Sequence, residues 1–324
     1  MGVKNFMKII KNNSAHGVSN ITVDELHNKS IAVDANLFIY KSVFAIRGGM
    51  GKDIIHKING KNTKVTHLYI MFNRLYNMIY INHINPVFVF DYSFPDIKGK
   101  CLTDRNNKRK EYKRLYLTTK DEDSKKKYFH ICENISRIEY SDTMTLLDLF
   151  GIPYIIAHEE ADSQCAYMIN EGLVDYVISD DMDLLLFGCA RLIKKFTTVE
   201  GKNMELIELP KILKDMGFNM RAFIQLGILM GSDYADTIKG MGMIGAYNTI
   251  NKYRSIATAR MVGAIPKDYK YELAYKYFVD AKHKKIDKSE LKLKPVNTKG
   301  LKKYMIDKGF NESNTVMNRL NKLK

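Results

Sequence analysis

Asp175-Tyr176-Val177-Ile178-Ser179-Asp180-Asp181-Met182-Asp183-Leu184-Leu185-Leu186-Phe187-Gly188 is the stretch on which the fold turns. It opens with a short run rich in β-branched and aromatic side chains, and two acids, Asp181 and Asp183, follow directly. Three other runs share this form: Ile31 to Asp34, Pro86 to Phe90 and Ile152 to Ala157. Each is short enough to be a buried strand, and each precedes a segment with helical periodicity. After the first, Leu68, Met71, Phe72, Leu75, Met78 and Ile79 mark a crossover helix over Thr66 to His83. Such alternation predicts an α/β fold with a doubly wound, mostly parallel sheet flanked by helices. Further strands are expected over Leu192 to Phe196 and Glu205 to Leu209, and a helix over Met220 to Met230.

Every one of the four runs delivers an acid at or just past its carboxyl end. These are Asp34, Asp91, the pair Glu160 and Asp162, and the pair Asp181 and Asp183. Singly, each has an ordinary reading. Asp34 and Asp91 suit turns or helix caps, Glu160 and Asp162 suit the first turn of a helix, and Asp180, Asp181 and Asp183 suit a solvated loop. Together they point to the strand-end edge of an open α/β sheet, where ligands bind. Converging carboxylates repel one another in a partly desolvated site, so they must be protonated or offset by cations. Oxygen donors without His or Cys select Mg²⁺ or Mn²⁺ over zinc. Two such ions, about 4 Å apart, can activate water and steady the leaving oxygen of a phosphodiester.

The composition agrees with an anionic substrate. The 324 residues carry a formal net charge of +15 and a pI near 9.4, so positive patches suit polyanions, either nucleic acid or an acidic membrane surface. The ordinary alternative is a lysine-rich coding bias, since Lys, Asn, Ile and Tyr are all abundant, as expected of an AT-rich genome. Residues 98 to 127 hold 12 Lys and Arg against five acids, with Tyr112, Leu115 and Tyr116 interleaved at helical spacing. Residues 282 to 324 hold 13 against four. The apolar fraction of 45% suffices for a large core, and one compact body is expected. Cys101, Cys132, Cys165 and Cys189 are scattered without CxxC or zinc spacing and read as thiols in a reducing compartment. No stretch approaches the roughly 20 apolar residues of a membrane span, and no signal sequence opens the chain. The expectation is an intracellular protein without a membrane partner.

The segments Val33-Asp34-Ala35-Asn36, Val89-Phe90-Asp91, Glu160-Ala161-Asp162-Ser163-Gln164-Cys165-Ala166, Asp181 to Gly188 and Gly231-Ser232-Asp233-Tyr234 resemble, in order and spacing, the signature blocks of the XPG/flap endonuclease family. The likeness runs from Met1 to about residue 280. It implies a PIN-like sheet with a helical gateway and cap, and a C-terminal helix-hairpin-helix subdomain of the 5′-3′ exonuclease type. The implied organisation is an N-terminal nuclease region over 1-110, a basic gateway and cap over 98-135, an internal nuclease region over 140-230, a helix-hairpin-helix region over 231-280 and a basic tail over 281-324.

By this resemblance the metal ligands fall on Asp34, Asp91, Glu160, Asp162, Asp181, Asp183 and Asp233. They would hold two Mg²⁺ ions, with Mn²⁺ able to substitute. Asp162 stands where the family usually has Glu, a shorter arm that shifts one ion or admits a water. Lys98 and Arg105 match gateway cations over the scissile phosphate, where positive charge steadies the transition state; the alternative is a solvated basic helix. Tyr40 and Arg47 match positions that stack on a base and contact the backbone, although Tyr40 also suits core packing. Gly2 matches a terminus near the active site; with Phe6 where Ser or Thr is needed, a myristoylation reading is set aside.

Gly240, Gly242 and Gly245 match the helix-hairpin-helix turn, which in the family grips duplex phosphate with amides and a monovalent cation. Met243, Ile244 and Gly245 replace the usual proline and basic residues, which implies a weaker grip. The Asp91 to Glu160 interval resembles the flap-specific branch.

The implied activity is structure-specific cleavage of branched or 5′-flap DNA in replication and repair, by a monomer in the nucleus or at a cytoplasmic viral replication site. Met317 to Lys324 lacks the glutamine-led aliphatic and double-aromatic motif, so sliding-clamp binding is not expected. The competing readings are a less selective 5′-3′ exonuclease or RNA-directed nuclease on the same scaffold, and a nucleic-acid-binding protein without catalysis. The last conflicts with acids standing at all seven positions.

Overall fold

The computed structural model describes residues 3, 5-50, 53-93, 95-132, 135-311 and 315-323, with the side chains of 43, 45-50, 96, 126 and 130 outside that description. The strands are β1 (Val18–Ile21), β2 (Ser30–Asp34), β3 (Ile55–Ile58), β4 (Lys61–Lys64), β5 (Asn85–Phe90), β6 (Tyr154–Ile156), β7 (Tyr176–Ile178), β8 (Arg191–Lys194) and β9 (Met204–Glu208). Seven of them form one sheet in the order β1-β9-β8-β7-β2-β5-β6, and β3 and β4 form a separate hairpin. All six strands expected from the sequence are present. Tertiary contacts divide the chain into two interleaved units where one body is expected. The first comprises residues 1-34, 89-101 and 156-285, the second 35-88, 102-155 and 286-324.

In the first unit β2 pairs parallel with β7, and β7 parallel with β8. Ile31, Ala32 and Val33 are fully buried, as strands covered on both faces require. The far edge reverses direction: β8 pairs antiparallel with β9, and β9 with β1. Opposite charges face each other there, Arg191 against Glu208 and Lys194 against Glu205, which favours this register. β1 escapes sequence reading because Ser19 and Asn20 are exposed and its place depends on Glu205 and Leu206 across the pair. The helix Met220–Gly231 starts where the Asn219 side chain accepts from the Ala222 amide at 2.9 Å.

The second unit holds the β3-β4 hairpin, whose Asn59 and Gly60 both take positive φ, 50° and 78°. That Asn-Gly pair is the local signal of a tight hairpin, and the helical reading passed over it. The expected helix over Thr66 to His83 is α-helical from Thr66 to Tyr76 and then winds as a π-turn over Asn77–Ile81.

Ser136 and Glu139 form a capping box that opens the helix Arg137–Phe150. The helix closes at Gly151, with φ 71°, where an added Cβ would lie 2.2 Å from the Lys294 carbonyl oxygen. Only glycine permits this approach, and it lets Lys294 and Asn297 donate to the carbonyls of Gly151 and Leu149 at 2.8 Å. The basic C-terminal segment is thereby a folded part of the second unit, with helices Thr298–Asp307 and Thr315–Leu320.

Asp142 ties these pieces together. It accepts from His67 Nε2 at 2.8 Å, Tyr304 Oη at 2.7 Å and Lys308 Nζ at 2.9 Å. Burial alone would raise its carboxyl, yet the three donors outweigh burial and hold it at about 2. The sign follows: this contribution is complete above the unfolded value near 3.9 and is lost as pH falls through about 2. Asp142→Asn is expected to cost about 2 kcal/mol near neutral pH, lowering the thermal midpoint by a few degrees. Circular dichroism melts at pH 7 should show this loss, and the gap to wild type should close in strong acid.

Candidate active site

The seven acids singled out in the sequence all belong to the first unit. Asp34 ends β2, and its Oδ2 accepts from the Ser179 hydroxyl at 2.9 Å. Asp91 follows β5, and its Oδ1 accepts from the Ala161 amide at 2.7 Å, anchoring the start of the helix Ala161–Asn170. Glu160 is the N-cap of that helix and Asp162 lies in its first turn. The β7 run ends in a tight turn in which the Ser179 hydroxyl accepts from the Asp181 amide and Asp181 Oδ1 from the Asp183 amide, both at 3.1 Å. Asp183 Oδ1 accepts from the Val3 amide at 2.9 Å.

Lys98, only 7% exposed, donates its ammonium to Glu160 Oε1 and lies 3.9 Å from Asp233. Its Nζ sits 5.2 Å from the centre of the Tyr234 ring. Glu160 is 2% exposed, and its other oxygen accepts from Tyr234 Oη at 2.6 Å and Tyr277 Oη at 2.9 Å. Asp233 also accepts from the Cys101 thiol at 3.3 Å.

The electrostatics register a shared neighbourhood. Desolvation pushes the Asp162 carboxyl well up, and the charges of Asp181, Asp34 and Glu160 push it further. Desolvation likewise raises Asp183 well above the ordinary range, with Asp181 and Asp233 adding to it. Asp181 is raised mainly by desolvation, against the Asp183 amide. Desolvation alone would lower the Lys98 ammonium, but Glu160, Asp162 and Asp233 hold it above the usual lysine value.

Burial, with Asp34 and Asp162 nearby, also drives the Cys165 thiol far up, so it stays protonated. As the chain stands, no group of three or more Asp, Glu, His or Cys side chains among the described residues is arranged to hold a metal ion. The acids are instead turned onto protein donors: Glu160 onto Lys98, Asp34 onto Ser179, Asp91 onto Ala161 and Asp183 onto Val3.

The remaining sequence candidates are spread more widely. Arg105 is half-buried on the helix Gly99–Thr118, in the second unit. Tyr40 is half-buried in the same unit, with its ring 4.3 Å from Phe44. The Arg47 side chain and Gly2 lie outside the described residues. Gly240 and Gly242 precede the helix Met243–Tyr253 in the first unit, and a Cβ added at either would meet no atom within 4 Å. Gly245 lies in the first turn of that helix.

Sequence reasoning missed Ser179, Tyr234, Tyr277 and Cys101. Ser179 and Tyr234 stand inside or beside the acid motifs and were within reach of that reading. Tyr277, 117 residues from Glu160, carries no local signal.

Two family descriptions match the chain, the XPG N-terminal domain over residues 1-112 and the XPG I-region over 151-233. Flap endonuclease 1 of Theileria annulata is 31% identical over 311 residues, covering 94% of this chain and 60% of that protein. The chain thus spans about three-fifths of that relative's length. Flap endonuclease 1 of Lodderomyces elongisporus is 31% identical over 327 residues, covering 96% and 84%. The solved flap endonuclease-1 from Methanococcus jannaschii superposes with a TM-score of 0.72 at 27% identity, covering 99% of this chain and 98% of that one. The two matched regions between them contain all seven acids and Lys98, and the chain belongs to the XPG/flap endonuclease family.

Proposed function

We propose that this chain is a divalent-metal-dependent, structure-specific 5′ nuclease that hydrolyses phosphodiester bonds in branched or 5′-flapped DNA during replication and repair. The observation that carries this reading is the charge imbalance of the first unit, where seven acids gather with the Lys98 ammonium and three of them are held above their ordinary range. Such a cluster demands added positive charge at neutral pH. Its donors are hard oxygens, and the Cys165 and Cys189 thiols are held protonated by burial, so the set fits Mg²⁺ and admits Mn²⁺. Asp34, Asp91, Glu160, Asp162, Asp181, Asp183 and Asp233 would hold two ions. Bound there, the ions supply Lewis acidity and positive charge to a phosphodiester.

The chain's own residues do the positioning. Ser179 orients Asp34, and the Ala161 amide orients Asp91 at the start of the next helix. Lys98 keeps its charge in a buried setting, where an ammonium can stabilise the negative phosphate far better than in water. We assign Arg105 the same sign of charge further along the gateway helix, and Tyr40 the face on which a base stacks. The helix Gly99–Thr118 has no buried residue, and its cations suit a phosphate track. The open space above Gly240 and Gly242 suits close approach of a duplex backbone to the turn, with a monovalent cation there.

Purified protein with Mg²⁺ is expected to cut a labelled 5′-flap duplex near the junction. Asp181→Ala should bind the same duplex and cut it at least ~100-fold more slowly. A panel of nicked, flapped, Holliday and RNA substrates ranks the alternatives, and equal cutting by Asp181→Ala would remove the metal assignment.

The raised carboxyls also set a pH dependence. A carboxyl raised on folding stabilises the fold fully below its unfolded value near 4, and that contribution is lost as pH climbs through the raised value. In EDTA the thermal midpoint should therefore fall as pH rises above the ordinary carboxylate range, and Mg²⁺ should restore it most at the alkaline end. Asp183→Asn should raise the metal-free midpoint while abolishing cleavage. Affinity for duplex should drop about 10³-fold between 50 and 200 mM salt, in proportion to the phosphates neutralised; a flat response in a filter-binding titration would rule out the basic helix as the DNA track.

A further inference from the structure

We infer that Tyr277 and Tyr234 are positioning residues for Glu160, a role that rests on the reading of Glu160 as a metal ligand. Glu160 Oε1 accepts from the Lys98 ammonium, and Oε2 accepts from two phenols at once, Tyr234 at 2.6 Å and Tyr277 at 2.9 Å. A buried carboxylate offered three donors cannot turn without breaking at least one bond to a charged acceptor, and such bonds are among the stronger ones in proteins. Glu160 has the longest arm of the seven acids and is the one whose rotamer most needs fixing.

The two phenols are neutral donors, and this distinguishes them from Lys98. The ammonium can leave Glu160 for a phosphate when substrate arrives, since it is a mobile charge on a flexible stem. The phenols carry no charge for a phosphate to attract. They would hold Oε2 while Oε1 exchanges partners.

Their own placement is rigid. Tyr277 lies on the helix Glu272–Val279, its ring 4.9 Å from Tyr234 and 5.7 Å from Phe187, and Tyr234 is also 5.0 Å from Phe278. This aromatic cluster explains why a phenol rather than a serine or glutamine stands at each position: the ring packs and the hydroxyl reaches. It also makes phenylalanine a clean substitution, because only the hydroxyl is lost.

The test uses the full chain and the single variants Y277F and Y234F, with the double variant. Groups that orient a metal ligand typically change metal affinity or activity by 10- to 100-fold when removed. Mn²⁺ binding is read directly by electron paramagnetic resonance, without DNA, and single-turnover cleavage of a 5′-flap duplex is read separately. Each single variant should weaken Mn²⁺ binding and slow cleavage about tenfold, with KM for the duplex within about twofold of wild type. The double variant should lose more than either. A purely structural role would lower the thermal midpoint and leave Mn²⁺ binding unmoved, which overturns the inference, as does wild-type cleavage by the folded double variant. Wild-type protein that binds no Mn²⁺ and cuts no substrate would instead overturn the parent reading of Glu160.

Discussion

The ion pair between Lys98 and Glu160 is the point from which the first unit is organised. It is buried, and burying charge is costly unless each partner is satisfied on every side. Here the satisfaction is unusually complete: Glu160 takes an ammonium and two phenols, and Lys98 takes Glu160, the field of Asp162 and Asp233 and the face of Tyr234. Four separate stretches of chain must close around one carboxylate for this to hold. The helix Ala161–Asn170 supplies the acid, the start of the helix Gly99–Thr118 lies just past the lysine, and Tyr234 and Tyr277 come from the last third of the unit. Substrate chemistry inherits that frame. The acids at the ends of β2, β5 and β7 are arranged around an interaction that exists before any substrate arrives.

The same arrangement stores negative charge that the fold alone does not neutralise. Ser179, Ala161 and Val3 donate hydrogen bonds to Asp34, Asp91 and Asp183, which orients these carboxylates but supplies no full positive charge. The Asp162 and Asp183 carboxyls are raised first by desolvation and then by the neighbouring carboxylates. A site of this kind sacrifices stability for function, as preorganised polar sites commonly do.

Much of this was legible in the sequence because it was local. Apolar runs followed by an acid announce both a strand and the position of its carboxyl end, and that reading located β2, β5, β6 and β7 and six of the acids; Asp233, which follows a helix, was placed only by the family resemblance. The Asn59-Gly60 hairpin was equally local and was overlooked because its flanking strands are half polar. What the sequence could not give was pairing across distance. β1 is a polar four-residue edge whose identity rests on β9. The family resemblance picked out Lys98, but nothing in the basic run around it marks it as the lysine that is buried against Glu160. Tyr277 is one of 20 tyrosines, told apart only by a carboxylate 117 positions away. The two-unit division was hidden for the same reason, since Asp142 meets His67, Tyr304 and Lys308 only in three dimensions.

The interleaving of the units bears on biosynthesis. The chain passes from one unit to the other at residues 34/35, 88/89, 101/102, 155/156 and 285/286, so neither is a continuous stretch that could be completed early as the chain emerges from a ribosome. Asp34 leaves the exit tunnel long before Asp233 and Tyr277 do, and its strand must wait with apolar faces uncovered until the partners are made. Long-range closure of that sort is slow and leaves sticky intermediates. Such a nascent chain has reason to depend on chaperones, and no contiguous half of it should be separable as a working fragment.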